Sequence, residues 1–175
     1  MYLGPSKQQL DNLMEYFKNG KIEDAKKIAL YITNKFPKYQ FGWKALGTIL
    51  INSGKSSEAL NALQTAVELS PKDAEAHNNL GFTYENLGEF DKALNNYIQA
   101  LKLNPNYVSA YENLSSVFKK NSFDKMDRDL YPFLENLLMN KNFVRPSDVS
   151  KGIINLLKHD SLLSELLTKL DSLNN

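Results

Sequence analysis

Apolar residues recur along this chain at helical spacing, in sets that repeat down the sequence. Leu46 follows Trp43 by three residues and Leu50 follows by four more, and the same pattern returns as His77, Leu80, Tyr84 and as Tyr111, Leu114, Phe118. That spacing puts each trio on one face of a helix. Between these sets lie others of a second kind: Ala25, Ala29, Ile32; Ala59, Leu63, Ala66; Ala93, Tyr97, Ala100. Small residues lead each of these, as two closely crossing helices require. The two kinds of helix are joined near Gly20, Gly54 and Gly88, where a glycine can take the left-handed conformation that ends a helix without a side-chain clash. Gly47 and Gly81 sit where the partner helix must come close, and Ser115 takes their place in the next set.

Pro37, Pro71 and Pro105 are 34 residues apart and close successive units. The units run over 6–39, 40–73 and 74–107, and a fourth begins at Val108 and stops after one helix, at about residue 120. A hairpin of this size cannot bury its apolar face alone, so each leans on its neighbour, and the stack offers a curved surface to another chain. Trp43, Tyr84 and Tyr97 are expected in the core and the glycines at helix crossings.

These residues resemble the tetratricopeptide repeat family. Trp43-Lys-Ala-Leu-Gly with Ala59, Ala66 and Pro71 matches its pattern, and His77-Asn-Asn-Leu-Gly with Tyr84, Ala93, Tyr97, Ala100 and Pro105 matches it more fully. The first unit has Leu10 and Leu13 but no leucine-glycine pair, as a divergent terminal cap would. The resemblance spans residues 6–120 and implies an all-α fold, a tetratricopeptide superhelix (α-solenoid) with extra C-terminal helices. It also implies that the first helix of each hairpin lines a concave groove. The exposed face of those helices is expected to present Lys44, Thr48, Asn78, Asn79, Phe82, Glu85, Glu112, Asn113 and Ser116. Asn79 and Asn113 lie one repeat apart, and stacked amides suit an extended peptide because each can donate and accept at once. The repeat region of O-linked N-acetylglucosamine transferases is similar, with an asparagine ladder along its groove; Ala45 and Asp11 break the ladder here. In chaperone-binding relatives a cluster of lysine, arginine and asparagine clamps a C-terminal carboxylate. Lys44 and Asn79 match that cluster, but Thr48, Ser109 and Asn113 do not, which leaves too little positive charge for the clamp.

The repeat is lost after Lys120, and residues 121–175 read as a helical cap or linker region. Leu130, Phe133, Leu134, Leu137 and Leu138 return at helical spacing, with Pro132 in a first turn or at a kink. Arg145-Pro-Ser-Asp resembles a helix start, and Leu162, Leu163, Leu166, Leu167 and Leu170 mark a last helix. These helices are expected to fold back as a cap; the alternatives are that they pair two copies as a homodimer or rest against a further domain. The segment Asn142-Phe-Val-Arg-Pro-Ser-Asp, with Leu156-Leu-Lys-His-Asp after it, is similar to the linker that follows such repeats in some bacterial methyltransferases and glycosyltransferases.

Composition narrows the function. The 175 residues carry 21 basic and 20 acidic side chains, a balance that argues against nucleic acid, whose binding needs a basic stripe. With no cysteine, disulfides and thiolate metal sites are excluded. No apolar run approaches a membrane span of ~18 residues or a secretory signal, so the chain reads as soluble and cytoplasmic. The glycines are isolated, so no phosphate loop is formed. His77 takes the aromatic position of its repeat, and His159 lies near a helix end; neither has a second ligand at metal spacing. Asp124, Asp127 and Asp129 are interleaved with Lys125 and Arg128 and read as solvated. No catalytic residues, cofactor or metal are expected, and the chain reads as a scaffold binding a protein or peptide segment. The alternative is the substrate-recruiting module of a transferase.

Overall fold

The computed structural model describes residues 4–120, 132–134 and 136, and every regular element among them is a helix. In chain order these are α1 (Lys7–Lys18), α2 (Ile22–Lys35), α3 (Gln40–Asn52), α4 (Ser56–Leu69), α5 (Ala74–Asn86), α6 (Phe90–Leu103) and α7 (Val108–Lys120). One compact unit extends to Asn96, and a second begins at Tyr97, so the boundary falls inside α6. The sequence-based expectations for the tail beyond Lys120, namely its cap, its leucine-rich helices and a homodimer made by them, lie outside the described residues, apart from a helical stretch over 132–134 and 136.

Each hairpin turn is built on a glycine with positive φ: 72° at Gly20, 71° at Gly54 and 77° at Gly88. The turn also satisfies carbonyls that the ending helix leaves without partners. After α1, the Asn19 N–H donates to Glu15 O at 2.9 Å and the Lys21 N–H to Tyr16 O at 2.8 Å. The same closure follows α3, where Lys55 N–H donates to Leu50 O, and α5, where Glu89 N–H donates to Tyr84 O. At its other end α1 begins with a capping box, in which the Ser6 hydroxyl accepts from Gln9 N–H and the Gln9 side chain accepts from Ser6 N–H.

In the first unit α1 packs on α2, α2 on α3, α3 on α4 and α4 on α5, while α3 also meets α5. The small residues of α2 and α4 are sealed: Ala25, Ala29, Ala59 and Ala66 are wholly buried. Gly47 lets α3 approach α4, because a Cβ there would overlap Leu63 Cγ and lie 2.7 Å from its Cδ2. Gly42 serves α2 in the same way, since its Cβ would stand 2.6 Å from Ile32 Cγ2. Gly42 was not singled out from the sequence, because it lies outside the leucine-glycine motif.

Trp43 departs from the expected core position. It is only half-buried, and its indole N–H donates to the Pro37 carbonyl at 2.8 Å. His77 repeats the arrangement one unit on, with Nε2 3.0 Å from the Pro71 carbonyl and Nδ1 3.3 Å from Asn96 Oδ1. The large residue that opens each of these helices thus ties it to the loop before it.

In the second unit Tyr97, Leu101, Tyr111, Leu114, Phe118 and Leu134 are buried, and Asn136 Nδ2 donates to the Tyr111 hydroxyl at 2.8 Å. Burial raises the Tyr111 pKa above its ordinary value against the opposing effect of that bond. Ser115, which stands where Gly47 stands in its repeat, has a buried hydroxyl without a hydrogen-bond partner among the described residues.

Candidate functional site

The candidate site in the first unit lies across α1, α3 and α5, and its register follows from the repeat. Neighbouring first helices meet at an offset of 31 residues, one repeat less about one helical turn: Lys44 bonds Glu75 and Thr48 bonds Asn79. At the same offset Met14 faces Ala45 and Phe17 faces Thr48, and all four line one pocket.

That pocket has a volume of about 200 Å³. Its apolar wall comes from Leu13, Met14 and Phe17 of α1 and from Phe41, Ala45 and Ile49 of α3. Lys44, Thr48 and Glu75 complete it. Ala45 accounts for the space: its counterparts in the adjoining units are Asp11 and Asn79, both larger. Met14 is 54% exposed, the most of any large apolar side chain among the described residues.

Lys44 is drawn inward rather than held out to solvent. Its Nζ donates to Asp73 Oδ2 at 2.9 Å and to Glu75 Oε2 at 2.6 Å. Burial works against the ammonium charge, but the bonds to Glu75 and Asp73 and their charges outweigh it and hold the Lys44 pKa above its ordinary value. Burial likewise opposes the Asp73 carboxylate, yet the bond from Lys44, the Ala76 N–H, the Lys44 charge and the Gln40 amide together hold its pKa below the ordinary carboxylate value. Asp73 therefore caps α5 and anchors α3 to it.

Beside this cluster runs a polar line. Asn79 Nδ2 donates to Thr48 Oγ1 at 3.2 Å, and Thr48 Oγ1 donates to Lys44 O at 2.9 Å. Lys44, Thr48 and Asn79 are thus brought together, with half-buried Phe82 one helical turn from Asn79.

Asn78 and Glu85 correct the expected exposed face. They are only 6% and 8% exposed and each has interaction partners. One apolar stripe per helix was assumed, whereas α5 is enclosed around more than half its circumference. Ala76, Leu80, Gly81, Thr83 and Tyr84 are buried along with these two. What remains open on α5 is the line Glu75, Asn79, Phe82 and Asn86. In the second unit Glu112 of α7 is exposed, while Asn113 and Ser116 are half-buried and have interaction partners.

The sequence reading missed Glu75, Asp73, Met14 and Phe41 as site residues. The signal for them is the 31-residue offset, visible only once neighbouring first helices are known to touch. Among the described residues no three His, Asp or Glu side chains group as a metal site. No described helix is long and apolar enough to cross a membrane.

Comparison with known families now adds to this geometry. Residues 74–107 match the tetratricopeptide repeat profile, and residues 47–88 match a second profile described as TPR repeat. Residues 47–107 are tetratricopeptide repeats. The tetratricopeptide architecture also appears in solved structures. The first TPR of Spaghetti (RPAP3) bound to the HSP90 peptide SRMEEVD superposes with a TM-score of 0.63 at 20% identity, over 69% of this chain and 98% of that one. A mutant of the Thermobaculum terrenum O-GlcNAc transferase gives 0.66 at 22% identity, over 75% of this chain and a quarter (25%) of the transferase. MamA gives 0.63 at 22% identity, over 74% of this chain and 69% of that one. Identities this low speak for the fold alone. Comparison with curated proteins by sequence finds no match.

Proposed function

We propose that this chain is a protein-interaction scaffold that holds an extended peptide or protein segment against the face of α1, α3 and α5. The observation that carries this is the junction on one face of an apolar pocket of about 200 Å³ and the Thr48–Asn79 polar line. An extended segment needs both, since its backbone seeks donors and acceptors while alternate side chains seek pockets. The Asn79 amide makes one bond to Thr48, and its carbonyl oxygen and second N–H can serve a main chain. Phe82 supplies apolar contact beside it. The reading assigns the chain binding and no catalysis, and its partner is a protein rather than a nucleic acid or membrane.

The test starts from a displayed library of random dodecapeptides, selected on the full chain and then measured singly by fluorescence anisotropy. The double change Asn79→Ala and Phe82→Ala is expected to weaken the selected peptides about tenfold or more. Unchanged affinity, with the helical circular-dichroism spectrum intact, would remove this face from the function.

A second reading, as the recruiting module of a glycosyltransferase or methyltransferase, is favoured by the fold likeness to a quarter of an O-GlcNAc transferase. It predicts that selected peptides bind while carrying the acceptor side chain of a partner catalytic domain, and that this domain modifies them faster in the presence of the chain.

A further inference from the structure

We infer that the pocket between α1 and α3 anchors one bulky aliphatic or aromatic side chain of a segment that carries lysine or arginine beside that anchor, and that the Lys44–Asp73–Glu75 cluster turns acidic segments away. This deepens the peptide-binding reading and rests on it.

The pocket is apolar on the α1 side and across most of α3, and the exposed Met14 is part of its wall. A methionine thioether is flexible and adapts to differently shaped guests, so the wall can close on leucine, methionine or phenylalanine alike. The charged groups in the lining are Lys44 and Glu75. Lys44 faces two carboxylates, so the cluster of one ammonium and two carboxylates carries one net negative charge. The balance is also uneven in depth: the Lys44 side chain is 14% exposed and the Glu75 side chain 55%. A bound segment therefore meets a carboxylate at the lip and an ammonium already engaged behind it. A cation next to the anchor gains a partner in Glu75, whereas an anion must first displace Glu75 from Lys44. Along α1, Asp11, Glu15 and Lys18 stand within about one turn of Met14 and leave one net negative charge, which does not oppose this preference.

The experiment uses the dodecapeptides selected on the full chain. Their shared feature is expected to be Leu, Met or Phe next to Lys or Arg. Replacing the anchor by alanine should weaken binding about tenfold, and Ala45→Trp, which fills the pocket, should do the same to the parent peptide. Met14→Glu is a second variant at an exposed position, where folding is not at stake, and it should also weaken binding. Glu75→Gln should narrow the gap between peptides with a basic and with an acidic neighbour to the anchor. The inference fails if selected peptides lose affinity with Asn79→Ala and Phe82→Ala but ignore Ala45→Trp, Met14→Glu and their own anchor; the peptide-binding reading then stands without it. It fails equally if acidic neighbours are selected. A library that yields no binder overturns both readings together.

Discussion

At the scale of single residues, Gly47 and Gly54 show how differently the same residue type can be required. Gly54 sits at φ 71° with nothing within 4 Å of a built Cβ, so its constraint is purely backbone. Gly47 is inside α3 and its constraint is purely space, taken by Leu63. The order of substitutions should therefore invert. At Gly54, alanine is expected to cost about 1–2 kcal/mol and asparagine less, because its amide tolerates the left-handed region. At Gly47, alanine should cost about 1–3 kcal/mol and asparagine more, because overlap grows with size. Urea melts of the four variants measure both orders, and matching orders at the two sites would refute the distinction. Ser115 offers the converse case: Ser115→Ala removes a buried hydroxyl that has no described partner and should raise stability by about 1 kcal/mol, read in the same melts. The repeat made Gly54 and Gly47 legible in the sequence. The orphan at Ser115 was not, since only burial distinguishes it from any serine on a helix.

At the scale of elements, the start of α5 concentrates the most interactions. Asp73 accepts from Ala76 N–H at 3.1 Å as a helix cap and from Lys44 and Gln40 as an anchor for α3. Asp73→Ala should cost about 1–2 kcal/mol, the worth of a cap with a partly buried ion pair lost beside it. The pH dependence follows from the two shifts. The Asp73 pKa is held below its ordinary 3.8 in the folded chain, so its contribution is present above that pH and is lost as pH falls through the lowered value. The Lys44 pKa is held above its ordinary 10.5, so its contribution is full below that pH and is lost as pH rises through the raised value. Thermal melts below pH 4 should thus fall more steeply for the wild type than for Asp73→Asn, which keeps a capping oxygen but no titrating charge. Parallel acid limbs would show that Asp73 contributes no ionic stabilisation. Asp73 was legible in the sequence only as the last residue of its unit. The anchor to α3 was not legible, because Lys44 and Asp73 stand near opposite ends of that unit, 29 residues apart.

At the scale of the whole molecule, α1 to α5 pack on one another within the first unit, while the second contains Tyr111 and Leu134 in its buried set. Removing residues 121–175 takes away Leu134 and the Asn136 amide that bonds Tyr111. Hydrogen exchange on the truncated chain should show amides of α7 losing about tenfold or more in protection while those of α3 and α4 keep theirs. Equal loss in both would mean that the two units unfold as one. Light scattering of the same pair of chains tests the proposed homodimer, which predicts a fall from the mass of two full chains to that of one truncated chain.

The sequence by itself determined the all-α class, the hairpin period, the left-handed turns and the small residues at helix crossings. These depend on local conformation and on spacing along one helix, and both are written in residue order. Only the tertiary structure decided which side of α5 stays open, because enclosure depends on how many neighbours a helix has. Packing likewise turned Lys44 from a free cation into a neutralised one, as the charges that matter to it lie 29 and 31 residues further along the chain. The pocket walled by Met14 arose in the same way, where a small Ala45 meets large α1 side chains at an offset that exists only between packed helices.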